Sequence, residues 1–263
     1  MKRHQILVSF YYIKNYLRKK EVGIMKHVAK KIKNVSMETI MGRVQKMVAL
    51  REEYIKDIDN VHVKLQQGNS KTGRSVYTVS LIPIADCGHN CKECKKQCYD
   101  VINVCFQPRV QNVRARNSAI HKVDIERFWN EVSYGIKYNC VSTLRINVGG
   151  DICAADLPLI NKIAKENPKC DFLFFTKSYE EVNEYLNENT FESNVHCIMS
   201  AWENTKMENP HKLPVSHVLY ADGRTTAPEF GSYYCGGNCA HCKYNDEGCW
   251  TLKKGESVIF PAH

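Results

Sequence analysis

The sequence predicts an α/β protein in which a partial (β/α) barrel or an open parallel sheet carries N-terminal helices and a C-terminal Cys-rich metal or cluster subdomain. Short apolar runs alternate with amphipathic segments from residue 76 onward, and this alternation favours right-handed βαβ crossovers. Cysteine, glycine or charged residues directly follow several predicted strands. Because chemistry collects at the carboxyl ends of parallel strands, these positions are predicted to form one functional rim.

The first elements of the core are a long helix and a strand. Residues 35–66 have apolar side chains three and four positions apart, and Ser36 is a suitable N-cap. The polar, glycine-bearing stretch QQGNSKTGRS ends this helix. Residues 76–84, VYTVSLIPI, are predicted to form a buried strand that leads directly into a cysteine-rich loop.

Helices and strands alternate after that loop. Two helices are predicted near residues 109–121 and 124–138, with Asp124 as the N-cap of the second. The later segments are predicted to be, in order, strand, helix, strand, helix, strand and strand: residues 141–148, 155–168, 171–176, 178–189, 195–202 and 215–221.

The chain is predicted to have three parts with different charge. Residues 1–34 form a basic arm, residues 35–230 form the βα core with the first group of cysteines, and residues 231–263 form a C-terminal Cys-rich segment. The formal net charge is +9, but residues 1–33 hold ten Lys or Arg against one acid, which leaves 27 basic and 27 acidic residues elsewhere. Attraction to nucleic acid is therefore expected mainly from the arm. An alternative is that translation begins at Met25.

No segment has the pattern of a membrane span or a secretory signal. The longest apolar run of the arm, residues 6–13, is too short for a signal peptide and is followed by no small-residue cleavage site. A span needs roughly 20 apolar residues, and no stretch approaches that length. The expected location is cytoplasmic, with no membrane partner.

Eight of the thirteen cysteines fall into two groups that both begin CxxxCxxC. The odd count and the chain length disfavour a secreted disulfide scaffold, whereas closely spaced thiolates hold zinc or iron–sulfur clusters. We name the groups the first quartet (Cys87, Cys91, Cys94 and Cys98) and the second quartet (Cys235, Cys239, Cys242 and Cys249). The remaining cysteines are expected to be core residues: Cys105, Cys140, Cys153, Cys170 and Cys197.

The first quartet follows one predicted strand, and a Gly-Gly-Asp turn follows the next predicted strand. This order resembles that of the radical S-adenosylmethionine superfamily. The resemblance implies that Cys87, Cys91 and Cys94 hold a 4Fe-4S cluster with one open iron, which chelates S-adenosylmethionine. It also implies that the turn formed by Gly149, Gly150 and Asp151 helps to hold the methionine amino group, with Asp151 in place of the usual, longer Glu. An electron donor such as flavodoxin or ferredoxin is implied as a partner.

A narrower resemblance covers residues 80 to 263. The segments CGHNCKECKKQCYD, RVQNVRARNSAI, LRINVGGDI, NPKCDFLFFTKS and CGGNCAHCKYNDEGCW together resemble the gene product 88 family of phage and mobile-element proteins. The cysteine pattern of that family ends in Cys-Tyr, which corresponds here to Cys87, Cys94 and Cys98 with Tyr99 and makes Cys91 the extra sulfur. Both triads remain open. If all four sulfurs bind, the site is closed and suits structure or electron transfer better than methionine chelation.

The second quartet offers four ligands and no extra one. Such a set is expected to be saturated, either by a structural zinc or by a second, auxiliary iron–sulfur cluster. Its glycines suit amide hydrogen bonds to sulfur.

Several charged residues near the predicted rim are binding candidates. Arg145 lies within a strand and is expected to meet a substrate carboxylate or phosphate, or else to form an internal salt bridge. Lys177 follows a strand and is expected to bind an anion or to be solvated. Three residues on the helix after the first quartet are expected to contact cofactor or substrate, or to form a solvated face: Arg114, Arg116 and Asn117.

The function predicted from these features is an oxygen-sensitive iron–sulfur enzyme of radical S-adenosylmethionine type, encoded by a phage or mobile element. It cleaves S-adenosylmethionine reductively, and the cofactor does the hard chemistry. The substrate class suggested by such an origin is a nucleotide or nucleic acid. The alternative is a non-catalytic zinc protein that binds nucleic acid through its basic arm.

Overall fold

A computed structural model describes residues 35–68, 72–203, 205–220, 222–228 and 232–261, and its centre is an eight-stranded sheet. The strand order is β1-β2-β3-β4-β5-β6-β8-β7, in which β1 is antiparallel to β2 and all other neighbours are parallel. The strands are β1 (Gln66–Gln67), β2 (Tyr77–Val79), β3 (Thr143–Ile146), β4 (Asp171–Thr176), β5 (Val195–Ser200), β6 (Val215–Leu219), β7 (Ser232–Tyr234) and β8 (Ser257–Pro261).

Helices connect most of these strands. The described helices are α1 (Met37–Lys56), α2 (Lys92–Lys96), α3 (Pro108–Val123), α4 (Ile125–Tyr138), α5 (Asp156–Glu166), α6 (Tyr179–Glu188) and α7 (Cys239–Tyr244). Both predicted N-caps are confirmed, since the Ser36 side chain accepts from the Thr39 amide and the Asp124 side chain accepts from the Arg127 amide. The fold class is therefore α/β with a mostly parallel sheet, as the alternation predicted.

Successive side chains of each strand point to opposite faces of the sheet, and the two faces have different surroundings. Leu144 and Ile146 of β3 pack in the main core beneath the helices, together with Phe172 and Phe174 of β4. Leu173, which points the other way, packs against the C-terminal segment. Residues from seven of the eight strands line a single cavity on this second face, so the sheet curves around it as a partial barrel.

The C-terminal segment contributes to the sheet as well as to the concave face. Strand β8 pairs with β6 and β7 pairs with β8, which extends the parallel sheet beyond β6. Between these two strands the chain forms α7 and the short 3-10 turn Gly248–Trp250, and Cys242 and Trp250 pack against Leu173 and Ile198. The second quartet thus lies on the inner wall of the partial barrel.

Several predicted boundaries and burials are wrong. The helix predicted over residues 35–66 ends at Lys56, and the strand predicted over 76–84 has only three residues. Of the five cysteines expected in the core, Cys140 and Cys153 are exposed because they lie after the end of α4 and before the start of α5. The other three are buried as predicted: Cys105, Cys170 and Cys197.

The basic arm, residues 1–34, lies outside the described residues. Within the part of the chain that the structure describes, no helix has the length and apolar character needed to cross a membrane.

Candidate functional site

The concave face of the sheet encloses a cavity of about 520 Å³ that both quartets reach. Five of the eight quartet cysteines line this cavity: Cys87, Cys94 and Cys98 of the first quartet, and Cys235 and Cys239 of the second. The five residues predicted to bind a cofactor line it too: Arg145, Gly149, Gly150, Asp151 and Lys177. Residues from distant parts of the sequence therefore share one site, and their role toward a cofactor stays a prediction.

The loop that carries the first quartet is held by its own hydrogen bonds. The carboxylate of Asp86 accepts the Ile82 amide at 2.7 Å and an Arg51 N–H from α1 at 3.0 Å. The Asn90 side chain donates to the carbonyl oxygens of Ile84 and Cys87. These bonds fix the path of the chain after β2, so that the cysteines start directly at the carboxyl end of that strand.

The four thiols of the first quartet have different surroundings. Burial raises the pKa of Cys87 to about 12 and that of Cys98 to about 11. A hydrogen bond from the Cys94 thiol lowers the pKa of Cys91 to about 6, and the same contact raises the pKa of Cys94. The Cys91 sulfur also accepts the Cys94 amide at 3.3 Å and thereby caps α2. This contact therefore favours one thiolate shared by the Cys91–Cys94 pair.

Lys177 supplies positive charge beside these thiols. Burial opposes the charge on this lysine, but Cys94, Asp151 and Cys87 outweigh that effect and raise its pKa. Its ammonium also lies 5.5 Å from the centre of the Trp202 ring, within cation–π range. The expectation of a solvated rim lysine is wrong, because the side chain is held between the quartet and the tryptophan.

The Gly-Gly-Asp turn packs directly against the loop of the first quartet. The Leu81 amide donates to the Gly149 carbonyl oxygen at 2.9 Å, and a Cβ at position 149 would lie 2.0 Å from an oxygen of Asp100. Gly150 has a φ of +86° and would bring a Cβ within 2.8 Å of the Leu81 Cβ. Both glycines are therefore needed for the close approach of the two loops.

Asp151 is buried at the end of this turn. One carboxylate oxygen accepts the Ile152 amide at 2.8 Å, and the other accepts the Lys177 amide at 2.9 Å. Burial outweighs these contacts and raises the pKa of Asp151. The side chain ties the ends of β3 and β4 together beside the cavity.

A buried ion pair that the sequence did not predict lies behind the turn. Arg114 on α3 donates to both oxygens of Asp100, at 3.0 and 2.9 Å, and a third N–H reaches the Gln66 side chain at 3.1 Å. The two charged side chains are 3% and 0% exposed. Asn117 on the same helix is buried and donates to the Lys64 and Ser80 carbonyl oxygens. A solvated face is therefore wrong for Arg114 and Asn117.

The second quartet is built into the inner wall by packing and hydrogen bonds. The Gly237 amide donates to the Cys235 sulfur at 3.4 Å, as expected for a glycine next to a ligand. The Cys242 sulfur lies 3.4 Å from the Tyr233 hydroxyl. Burial raises the pKa of both Cys242 and Cys249.

Arg145 lies between the second quartet and the cavity. Its terminal nitrogen is 3.5 Å from the Cys239 sulfur, and its guanidinium carbon is 5.1 Å from the centre of the Phe175 ring. Among the described residues its Nε is buried without a hydrogen-bond partner, and no carboxylate pairs with it. The expected internal salt bridge is therefore not formed with any described residue.

The spacing of the sulfurs differs from that of a closed zinc site. In the described part of the chain, the three-residue set with ligand atoms all within 4.8 Å of one another is His121, Cys153 and Asp156, on the helix side of the sheet. In neither quartet do three sulfur atoms lie within 4.8 Å of one another. A zinc–sulfur distance of about 2.3 Å would place tetrahedral sulfurs about 3.8 Å apart. Both quartets are thus more open than a zinc tetrahedron.

The curved parallel sheet and the two quartets at one cavity define a cysteine-rich α/β protein with candidate ligands for metal centres. The sequence profile of the gene product 88 family matches residues 50–254, a range that includes both quartets. The match covers more than half of the chain, and the protein belongs to the gene product 88 family. Neither the curated proteins nor the solved structures contain a significant match.

Proposed function

We propose that this protein is an iron–sulfur enzyme of radical S-adenosylmethionine type that acts on a substrate bound in the cavity between its quartets. The observation that supports the proposal most is the meeting of three features at the carboxyl ends of β2 and β3. These features are the first quartet, the Gly-Gly-Asp turn and the cavity of about 520 Å³. A cleft at strand ends is where parallel sheets carry their chemistry.

The donor set of the first quartet fits a 4Fe-4S cluster. Cys87, Cys94 and Cys98 line the cavity wall, and closely spaced cysteines in one loop are the ligand set that such a cluster needs. Cys87 and Cys94 belong to both triads that the sequence leaves open, and the third ligand is Cys91 or Cys98. When bound, such a cluster would supply one electron to S-adenosylmethionine, which breaks a carbon–sulfur bond of the sulfonium and gives methionine and a deoxyadenosyl radical.

The residues of the chain position and protect this chemistry. Lys177 places a positive charge beside the thiolates and stabilises them. Gly149 and Gly150 let the turn after β3 approach the quartet loop, and Asp151 places a buried carboxylate at the cavity wall. Phe175 and Trp202 add apolar surface to the wall of the same cavity, which suits chemistry that water would quench.

The second quartet faces the same cavity from the C-terminal segment. Its four sulfurs leave no extra ligand, so they suit a saturated centre, and within this proposal they hold an auxiliary iron–sulfur cluster rather than a structural zinc. An external donor such as flavodoxin or ferredoxin would deliver the electron. The cytoplasmic location and the phage or mobile-element origin of the enzyme are part of the same proposal.

Anaerobic purification with metal and sulfide analysis tests the proposal. We expect brown protein with about four iron atoms per cluster and matching sulfide. After reduction with dithionite, added S-adenosylmethionine should yield deoxyadenosine. The Cys87→Ser variant should lose both the first cluster and this product, whereas Cys140→Ser, an exposed cysteine outside both quartets, should lose neither. Colourless protein with zinc in both quartets would refute the proposal.

A further inference from the structure

We infer that the cavity binds the oxyanion group of its substrate, a phosphate or a carboxylate, through Arg145 beside the second quartet. The inference rests on the proposed function in one respect, since it names the chemical class of substrate for the same site. The oxyanion binding itself can be measured without any cleavage of S-adenosylmethionine.

The backbone directs Arg145 into the cavity. Its neighbours on β3, Leu144 and Ile146, are buried beneath the helices, so the alternation of the strand turns Arg145 to the concave face. There the guanidinium lies over the Phe175 ring at 5.1 Å. This cation–π contact holds the guanidinium beside the ring without using its N–H groups.

Most of the hydrogen-bonding capacity of Arg145 is unused among the described residues. An arginine has five N–H donors, and here one terminal nitrogen lies 3.5 Å from the Cys239 sulfur. The Nε is buried and has no partner in the described part of the chain. A buried donor without an acceptor costs free energy, and a bound ligand oxygen would remove that cost.

The other buried charged groups at the cavity are already balanced. Both carboxylate oxygens of Asp100 already accept hydrogen bonds from the Arg114 guanidinium. Asp151 accepts two backbone amides next to the positive charge of Lys177. No described carboxylate pairs with Arg145, and its acidic neighbours are the thiols of Cys239 and Cys249, so the unpaired Nε side of the guanidinium is left for an anion.

The geometry of the guanidinium selects the class of anion. Its planar fork matches the two oxygens of a carboxylate or phosphate and can bind them in parallel. Phosphate would come from a nucleotide, and carboxylate from an acidic metabolite or side chain. The competing role for Arg145 is to neutralise the Cys239 thiolate alone, and that role requires no ligand.

Ligand protection on the anaerobically purified full-length protein tests this inference. Inorganic phosphate and acetate serve as separate probes, and phenylglyoxal modification of each arginine is followed by mass spectrometry. We expect one of the two anions to protect Arg145 in the wild-type protein while leaving reactive the exposed Arg74, which is outside the cavity lining. The anion that protects identifies the source of the oxyanion.

Binding titrations with the same probes add matched variants. Arg145→Gln should weaken binding of the protecting anion by about ten- to a hundred-fold, because a charged hydrogen bond is lost. Arg145→Lys should retain part of the affinity, and Arg74→Gln, at an exposed arginine outside the cavity lining, should change it by less than about two-fold, since an exposed charge is screened. Iron content and circular dichroism show that each variant is loaded and folded.

Two outcomes would overturn the inference. One is that neither anion protects Arg145 in the wild-type protein, which leaves only the neutralising role. The other is that Arg74→Gln weakens binding as much as Arg145→Gln, which means diffuse attraction. Deoxyadenosine formation without Arg145-dependent binding defeats only this inference, whereas Arg145-dependent binding without iron or deoxyadenosine defeats only the proposed function.

Discussion

Gly149 and Asp100 meet so closely that a single added carbon would overlap: a Cβ at position 149 would lie 2.0 Å from a carboxylate oxygen of Asp100. That oxygen cannot move freely, because Arg114 holds both oxygens of the carboxylate in the protein interior. The contact joins the turn after β3 to the loop of the first quartet. The glycine turn is therefore a structural support of the quartet as well as a candidate ligand site.

The first prediction concerns this contact. Gly149→Ala should lower the free energy of unfolding by about 1–3 kcal/mol, since the new methyl group overpacks a rigid neighbour. Gly42→Ala on α1 is the matched control, because its Cβ would meet nothing within 4 Å. Alanine suits a helix better than glycine, so the control should gain up to about 1 kcal/mol. Chemical denaturation of both variants measures the difference, and equal stability would contradict the packing argument.

The second prediction asks whether the first quartet is an open site. If three sulfurs hold the cluster, one of the variants Cys91→Ser and Cys98→Ser should keep its iron and the other should lose most of it. The variant that keeps iron has lost the extra sulfur, which selects between the two triads. Iron and sulfide analysis after anaerobic purification provides the measurement. Loss of iron in both variants would mean a closed four-cysteine site, which leaves no coordination position for S-adenosylmethionine.

The strands were predictable from the sequence where apolar runs are long and continuous. Residues 171–176 were predicted as a strand and form β4 with those same bounds. The two-residue strand β1 was missed because it consists of two glutamines, whose pairing with β2 comes from tertiary contact rather than from propensity. Strand β7 is a short polar and aromatic segment whose pairing with β8 depends on the same kind of contact.

The members of the site were predictable in part. Cysteine spacing and glycine turns identify candidate ligands directly, and the parallel topology then gathers them at one cavity. The partner of Asp100 was not predictable, because Arg114 lies fourteen residues away on another element and only the fold brings the two together. The set of His121, Cys153 and Asp156 was missed for the same reason.

The third prediction concerns that set. Asp156 is buried and pairs with His121 at 2.7 Å, and it accepts from the Trp129 indole and the Cys153 amide. Burial alone would raise the pKa of Asp156, but these partners outweigh it and lower the pKa below its ordinary value. Because the folded pKa is lowered, the carboxylate stabilises the fold above the unfolded pKa, and this stabilisation is lost as the pH falls through the folded value.

Asp156→Asn should therefore cost about 1–3 kcal/mol of unfolding free energy at pH 7. The difference from the wild type should shrink as the pH drops below about 4, where the wild-type carboxyl becomes protonated as well. Asp59→Asn, an exposed aspartate, is the control and should change stability by less than about 0.5 kcal/mol. Denaturation curves across this pH range provide the measurement. A difference that does not depend on pH would contradict the role of the ionised carboxylate.

The final prediction separates the basic arm from the βα core. Residues 1–33 carry ten of the Lys and Arg residues, and the rest of the chain has equal numbers of acids and bases. Any affinity for DNA or RNA should therefore be strongly salt-dependent and should fall sharply when residues 1–33 are deleted. Fluorescence anisotropy at several salt concentrations measures both effects.

Deoxyadenosine formation should persist in the deleted protein, because every quartet cysteine and cavity residue named above lies beyond residue 60. Unchanged nucleic-acid affinity after the deletion would place the binding surface on the core and contradict the role of the arm.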